Sequence, residues 1–109
     1  MGSAVENPVL ATRLGPLALR NPVMNGSGCF GHGTEMTAHV DYGMLGAFVT
    51  KTVTLRPRPG NPPPRGCEVD QGMLNSIGLE NKGVEAFIEH TLPGLVAEDV
   101  PVIVNLGGD

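Results

Sequence analysis

Apolar residues fall into short runs along this chain, and glycine or proline divides nearly all of them. Residues 9–14 and 17–20 flank a Gly15-Pro16 turn signal, which predicts a small hairpin. Residues 22–25 form a very short strand candidate. Residues 34–42 predict a short helix, with Thr34 as cap and Met36 and Val40 on one face. Residues 47–53 give the clearest strand, because their first positions are almost continuously apolar, as in a parallel strand covered on both sides. Val84, Phe87, Ile88, Leu92 and Leu95 then recur at helical spacing. Asn81 is a cap candidate for that helix, and Pro93 a position for a kink or restart. Residues 102–106 predict a second buried strand. Between the two main strands, residues 56–65 hold five prolines and three arginines, which excludes a helix or an inner strand.

Strands alternating with helices predict an α/β fold with a parallel sheet. Three such strands bury little by themselves, so residues 1–109 are expected to be part of a longer α/β protein. Composition agrees with a folded chain: Leu, Ile, Val and Phe supply 29 of 109 residues, above the roughly 20% that marks disorder. Sixteen glycines and ten prolines commit many positions to turns. Seven basic against eleven acidic residues leave a net charge of −4, which argues against nucleic acid and anionic membranes as partners. No apolar run reaches the ~18 residues of a membrane span, and the first residues do not resemble a signal peptide. Cys29 and Cys67 read as free thiols. His32, His39 and His90 have no metal-ligand spacing, so no metal is expected.

Candidate chemistry gathers at strand ends. Gly26-Ser27-Gly28-Cys29-Phe30-Gly31 matches GxGxxG after a strand. A dinucleotide site would also need an acidic residue at the end of the second strand. Lys51 stands there instead, between Thr50 and Thr52, and Asp41 lies before the strand. The turn therefore serves either plain chain reversal or close approach of backbone to a flat or phosphorylated ligand. Lys51 is either a snorkelling surface lysine or a cation facing a ligand anion or electron-rich ring. Asn105 holds the equivalent place on the next strand, where asparagine is uncommon. Asn75, Ser76, Ile77, Gly78 and Leu79, followed by Glu80 and Asn81, offer amide, hydroxyl and backbone groups, suited to helix capping or to a small polar ligand. The Pro/Arg segment reads as a covering loop or as a polyproline ligand for a partner.

Four of these motifs, in this order, resemble the dihydroorotate dehydrogenase family. They are Asn21-Pro22-Val23-Met24 with the glycine-rich turn; Thr50-Lys51-Thr52 with the Pro/Arg segment; residues 72–81; and residues 101–108. Residues 72–81 are most similar to the class 1B catalytic subunit. The resemblance implies that residues 1–109 are the N-terminal part of an FMN-binding (β/α)8 TIM barrel, with an N-terminal β-hairpin and about three barrel strands. It implies oxidation of dihydroorotate to orotate in pyrimidine (UMP) biosynthesis in the cytoplasm. Ser27, Lys51, Thr52 and Asn105 would contact FMN. Lys51, Asn75, Ser76, Ile77, Gly78 and Leu79 would contact the substrate. The family's base is a cysteine on a later loop, so the resemblance puts no catalytic base in this chain, and the chain alone is expected to be inactive. It further implies a homodimer and an electron-transfer subunit that carries FAD and a 2Fe-2S cluster and passes electrons to NAD. Related readings are a dihydropyrimidine or dihydrouridine dehydrogenase, or a small non-enzymatic binding module that uses the Pro/Arg loop.

Overall fold

Gly15 adopts φ +58° and reverses the chain between β1 (Thr12–Leu14) and β2 (Leu17–Leu19), which pair antiparallel as the turn signal predicts. The computed structural model describes residues 9–108; the reading of the first seven residues lies outside them. Beyond the hairpin the chain is a small α/β assembly built on parallel pairing. β3 (Phe48–Val49) pairs in parallel with β6 (Val102–Ile103). Single parallel bridges join Met24 to Ala47 and Val53 to Leu106. Residues 47–53 thus form the central strand, with the two other expected strands on either side.

Regular pairing is short because side chains take over parts of the ladder. Thr50 N–H still donates to the Ile103 carbonyl at 3.0 Å, and Val53 N–H to Asn105 at 2.8 Å. On the other side, the Asn25 side chain does the work of a peptide group. Its Oδ1 accepts from Val49 N–H and its Nδ2 donates to the Val49 carbonyl, both at 2.8 Å. The outer strand is less covered than its apolar sequence predicts: Val102, Ile103 and Val104 are half-buried and Leu106 is 72% exposed. That strand borders the sheet among the described residues, so one of its sides meets solvent.

The expected helix over residues 34–42 does not form. Residues 35–39 make a turn, and a single 3-10 turn, Tyr42–Met44, follows Asp41, whose carboxylate accepts from Gly43 N–H. A helix would carry residue 42 about 12 Å along its axis from residue 34. Instead the Tyr42 hydroxyl returns to donate to the Gly33 carbonyl at 2.8 Å. Local bonds compete with the helix as well, since the Thr37 hydroxyl donates to the Thr34 carbonyl. The reward is aromatic packing: Tyr42 and Phe48 are both fully buried, with ring centroids 4.8 Å apart.

The second helix forms, with an irregular middle. α1 (Val84–Ala86) leads into a π turn (Phe87–Thr91) and then α2 (Leu92–Val96). Pro93 does not end it. Proline has no N–H to give the preceding turn, and the wide π turn just before it accommodates that gap. Phe87 and Leu95 are buried on the sheet, and Val84 and Leu92 are half-buried. Ile88 is exposed, contrary to the expected stripe, because the π turn breaks the regular helical spacing. Gly83 rather than Asn81 occupies the cap position. A second hairpin, β4 (Gly66–Val69) with β5 (Gly72–Asn75), extends from the Pro/Arg segment with every residue exposed. No helix is long and apolar enough to cross a membrane among the described residues.

Candidate functional site

The parallel arrangement brings the carboxyl ends of three strand segments to one side, near Asn25, Lys51 and Asn105. This is where ligands bind in open and closed parallel α/β sheets. After Asn25 the glycine-rich turn folds back, with Cys29 N–H donating to the Gly26 carbonyl at 3.0 Å. Gly28 at φ +80° and Gly31 at φ +74° hold left-handed backbone. A Cβ on Gly28 would stand 3.7 Å from Lys51 Cγ, so the bare backbone leaves open space beside the lysine stem.

One hydrogen-bond network joins three of the four residues expected at the flavin. The Asn105 amide Nδ2 donates to Ser27 Oγ at 2.9 Å and to Thr52 Oγ1 at 2.8 Å. Ser27 Oγ donates onward to the Thr50 carbonyl at 2.9 Å. Thr50, fully buried, accepts the Asn105 backbone N–H on its hydroxyl at 3.2 Å. With its amide protons committed to two hydroxyls, Asn105 keeps Oδ1 without a hydrogen-bond partner among the described residues. It is therefore an acceptor available to a ligand.

Lys51 is half-buried next to this network, and its ammonium has no ion pair or hydrogen bond among the described residues. Its neighbours in the sequence are threonines, so its charge is available to a ligand. A cleft runs beside it, lined by Ser27, Gly28, Cys29, Lys51, Thr52, Ile77 and Leu79. Residues expected at the flavin and residues expected at the substrate thus share one cavity.

The Pro/Arg segment backs the substrate loop. Asn61 N–H donates to the Ile77 carbonyl at 2.8 Å, and Asn61 Nδ2 reaches both the Ser76 carbonyl and Ser76 Oγ. Arg58 Nε donates to the Gly78 carbonyl at 3.3 Å, and Arg65 pairs with Glu80 at 3.6 Å. Gly78, at φ +83°, packs so closely that a Cβ would lie 2.9 Å from Asn61 N. The segment is thus tied to the 76–80 loop through Arg58, Asn61 and Arg65. Ile77 and Leu79 face the cleft, while Ser76 and Gly78 point their polar groups at the backing loop. Asn75 is exposed at the end of β5, opposite Gly66, and does not line the cleft.

Several residues of the site carried no separate signal as ligands. Asn25, Thr50, Thr54 and Asn81 are buried polar residues, and none of them leaves a buried side-chain polar atom without a partner. Asparagine beside an apolar strand was the only trace of Asn25 in the sequence. Cys29 lines the cleft, and both cysteines are free and exposed. A separate opening lies between the 32–35 turn and the helix, bordered by His32, Glu35, Lys82 and His90. Burial pushes the Glu35 carboxyl up, but backbone N–H bonds from His32, Glu35 itself and Gly33 outweigh it. The carboxyl is held below its ordinary value. Burial pushes the Tyr42 phenol up.

The network can orient a polar ligand edge, the glycine turn can admit a flat group, and Lys51 can face negative charge. A flavin has all three features, so the donor set fits a flavin. A family model described as dihydroorotate dehydrogenase matches residues 9–109. The chain is 53% identical over 100 residues to the catalytic subunit of dihydroorotate dehydrogenase B (NAD(+)) of Thermoanaerobacter sp. (strain X514), covering 92% of this chain and 33% of that protein. The same subunit of Pelobacter propionicus is 52% identical, over 93% of this chain and 33% of its own length. That of Geotalea daltonii is 50% identical, over 96% and 34%. The chain spans about a third of the length of the curated relatives it matches.

Proposed function

The chain belongs to the dihydroorotate dehydrogenase family, and from that premise we propose that it supplies the N-terminal third of an FMN-binding (β/α)8 barrel that oxidises dihydroorotate to orotate in pyrimidine biosynthesis. The observation that carries this reading is the single cleft in which Lys51 stands between the Ser27–Asn105–Thr52 network and the loop bearing Ile77 and Leu79. When bound, FMN supplies the hydride acceptor.

Each residue then has a physical task. Ser27, Thr52 and Asn105 bind and orient the polar edge of the isoalloxazine, and their mutual bonds fix the donors in advance. Lys51 would place a cation beside the bound flavin, where a preorganised charge could stabilise negative charge without reorientation. Ile77 and Leu79 cover the reacting face and exclude water. Ser76 and Gly78, bonded to Asn61 and Arg58, hold the loop that carries Ile77 and Leu79 over the substrate. The base that removes the substrate proton lies in the remainder of the barrel.

The relatives are named as catalytic subunits of an NAD(+) enzyme, which supports a separate second subunit; that this subunit carries FAD and a 2Fe-2S cluster and passes electrons to NAD is part of the same proposal. A homodimer of the catalytic subunit is part of the same proposal. Two exposed free thiols suit a reducing, cytoplasmic setting.

The test is direct. The full-length protein should purify yellow, release FMN on denaturation, and lose its flavin absorbance when mixed anaerobically with dihydroorotate. Release of a different flavin, or a flavin that dihydroorotate does not bleach, overturns the proposal.

A further inference from the structure

Asn81 lies outside the cleft, yet it is the most heavily bonded side chain near the substrate loop. It is buried, with 6% of its surface exposed. Its Nδ2 donates to the Leu79 carbonyl at 2.8 Å and to Thr54 Oγ1 at 3.1 Å. Its Oδ1 accepts from Gly83 N–H at 2.9 Å and Thr54 N–H at 3.2 Å. Its backbone exchanges both hydrogen bonds with Arg58. One planar amide thus ties together the continuation of the central strand, the entrance to the helix and the last residue of the loop.

The point of attachment matters. Leu79 sits at φ +57°, a left-handed conformation that a leucine adopts only at a cost. Something must hold it there, and the two donors of Asn81 reach the Leu79 carbonyl and the strand at once. The Leu79 side chain then lines the cleft beside Lys51 and Thr52. Thr54 follows Lys51 by three residues on the same segment, so the bond to Thr54 sets the height of Leu79 relative to the lysine.

We propose that Asn81 is a positioning residue: through Nδ2 it fixes the left-handed Leu79 against the Lys51 strand, and so sets the substrate-facing wall of the cleft without touching the ligand. This rests on the function proposed above.

Its two faces can be separated. Asn81→Asp keeps an oxygen for Gly83 and Thr54 N–H, and aspartate is as good a partner for a helix entrance as asparagine. It turns the donor that holds Leu79 into an acceptor facing a carbonyl. In the full-length flavin-loaded protein, Asn81→Asp should keep its FMN, with a thermal midpoint lowered by the buried carboxylate that now faces the Leu79 carbonyl. Its Kd for orotate, read from the flavin spectrum, should rise roughly tenfold, with the KM for dihydroorotate rising likewise and kcat nearly unchanged, as expected for lost uniform binding. If Asn81→Asp does not fold, Thr54→Val carries the test, because it removes the second acceptor of Nδ2; a severalfold rise in the orotate Kd supports the proposal. Orotate affinity equal to wild type in the variant that folds overturns it. A wild-type protein that binds FMN but no orotate overturns the substrate reading and this inference with it, whereas wild-type binding with an unaffected variant overturns the inference alone.

Discussion

The side-chain amide of Asn105 donates to the hydroxyl of Ser27 at 2.9 Å, across 78 residues of sequence. This bond closes the turn after the first strand segment onto the end of the third. Because the same amide nitrogen also serves Thr52, a substitution at residue 105 frees two hydroxyls at once. Asn105→Ala in the full-length protein should cost about 0.5–1.5 kcal/mol for each bond lost, weakening FMN binding by roughly tenfold or more. Flavin fluorescence recovered on dilution measures this. Unchanged flavin retention would remove the network from the cofactor site.

Lys51 has no counter-ion among the described residues, so its removal should disturb the fold little. Lys51→Ala is expected to keep the thermal midpoint within a degree or two and to lower turnover with dihydroorotate about 10²–10³-fold, the usual consequence of deleting one preorganised charge. The comparison of midpoint and turnover on the same preparation decides it. Full activity would make Lys51 a surface lysine with a buried stem.

Asn75 is an expected substrate residue that does not line the cleft, exposed at the end of β5. If its amide reads the ring edge, Asn75→Leu leaves ligand polar groups unpaired at roughly 1–3 kcal/mol each, while flavin binding is untouched. Orotate titration against flavin absorbance should then show tenfold or greater weakening. A Kd within about twofold of wild type assigns Asn75 to the hairpin alone.

Glu35 is held below its ordinary pKa by backbone N–H donors. Those bonds stabilise the folded chain fully above the unfolded carboxyl's value and lose that effect as pH falls through the depressed folded value. The thermal midpoint of the full-length protein should exceed that of Glu35→Ala by a constant margin above about pH 5 and by a shrinking one from there to about pH 3. A margin that does not change with pH would mean that Glu35 acts through packing.

Legibility in the sequence followed how local each cause is. The first hairpin was readable because Gly15-Pro16 dictates the reversal by backbone geometry alone. The central strand was readable because Ala47, Phe48 and Val49 have no other stable home. The turn over residues 34–42 was misread as a helix because Tyr42 is recruited by Phe48 and by the Gly33 carbonyl, and neither contact has a local signature. The hairpin of β4 and β5 escaped notice because its residues alternate without a buried side and its turn places Gln71, not glycine, at φ +58°. At the site, Lys51 and Asn105 were visible as polar residues at strand ends, Ser27 within the glycine-rich turn and Thr52 as a neighbour of Lys51, the last two gaining a role only from the resemblance. Asn81 was visible as a capping candidate and as one of the two asparagines of a polar loop. Its hold on Leu79 and Thr54 depends on elements 27 residues apart coming together.

Asn25 completes hydrogen bonding to Val49 after its own backbone has already left the sheet. The path of the main chain and the extent of the ladder are thereby made independent. The glycine-rich turn can start at any angle a ligand requires, and the neighbouring strand still ends with both its donor and its acceptor answered. The same independence makes the position exacting, because the order of one acceptor and one donor on a planar group must match Val49. A carboxylate of identical shape would set one of its oxygens against the Val49 carbonyl. Residue 25 is thus a place where loop design and sheet integrity can be varied separately, so long as the amide itself is kept.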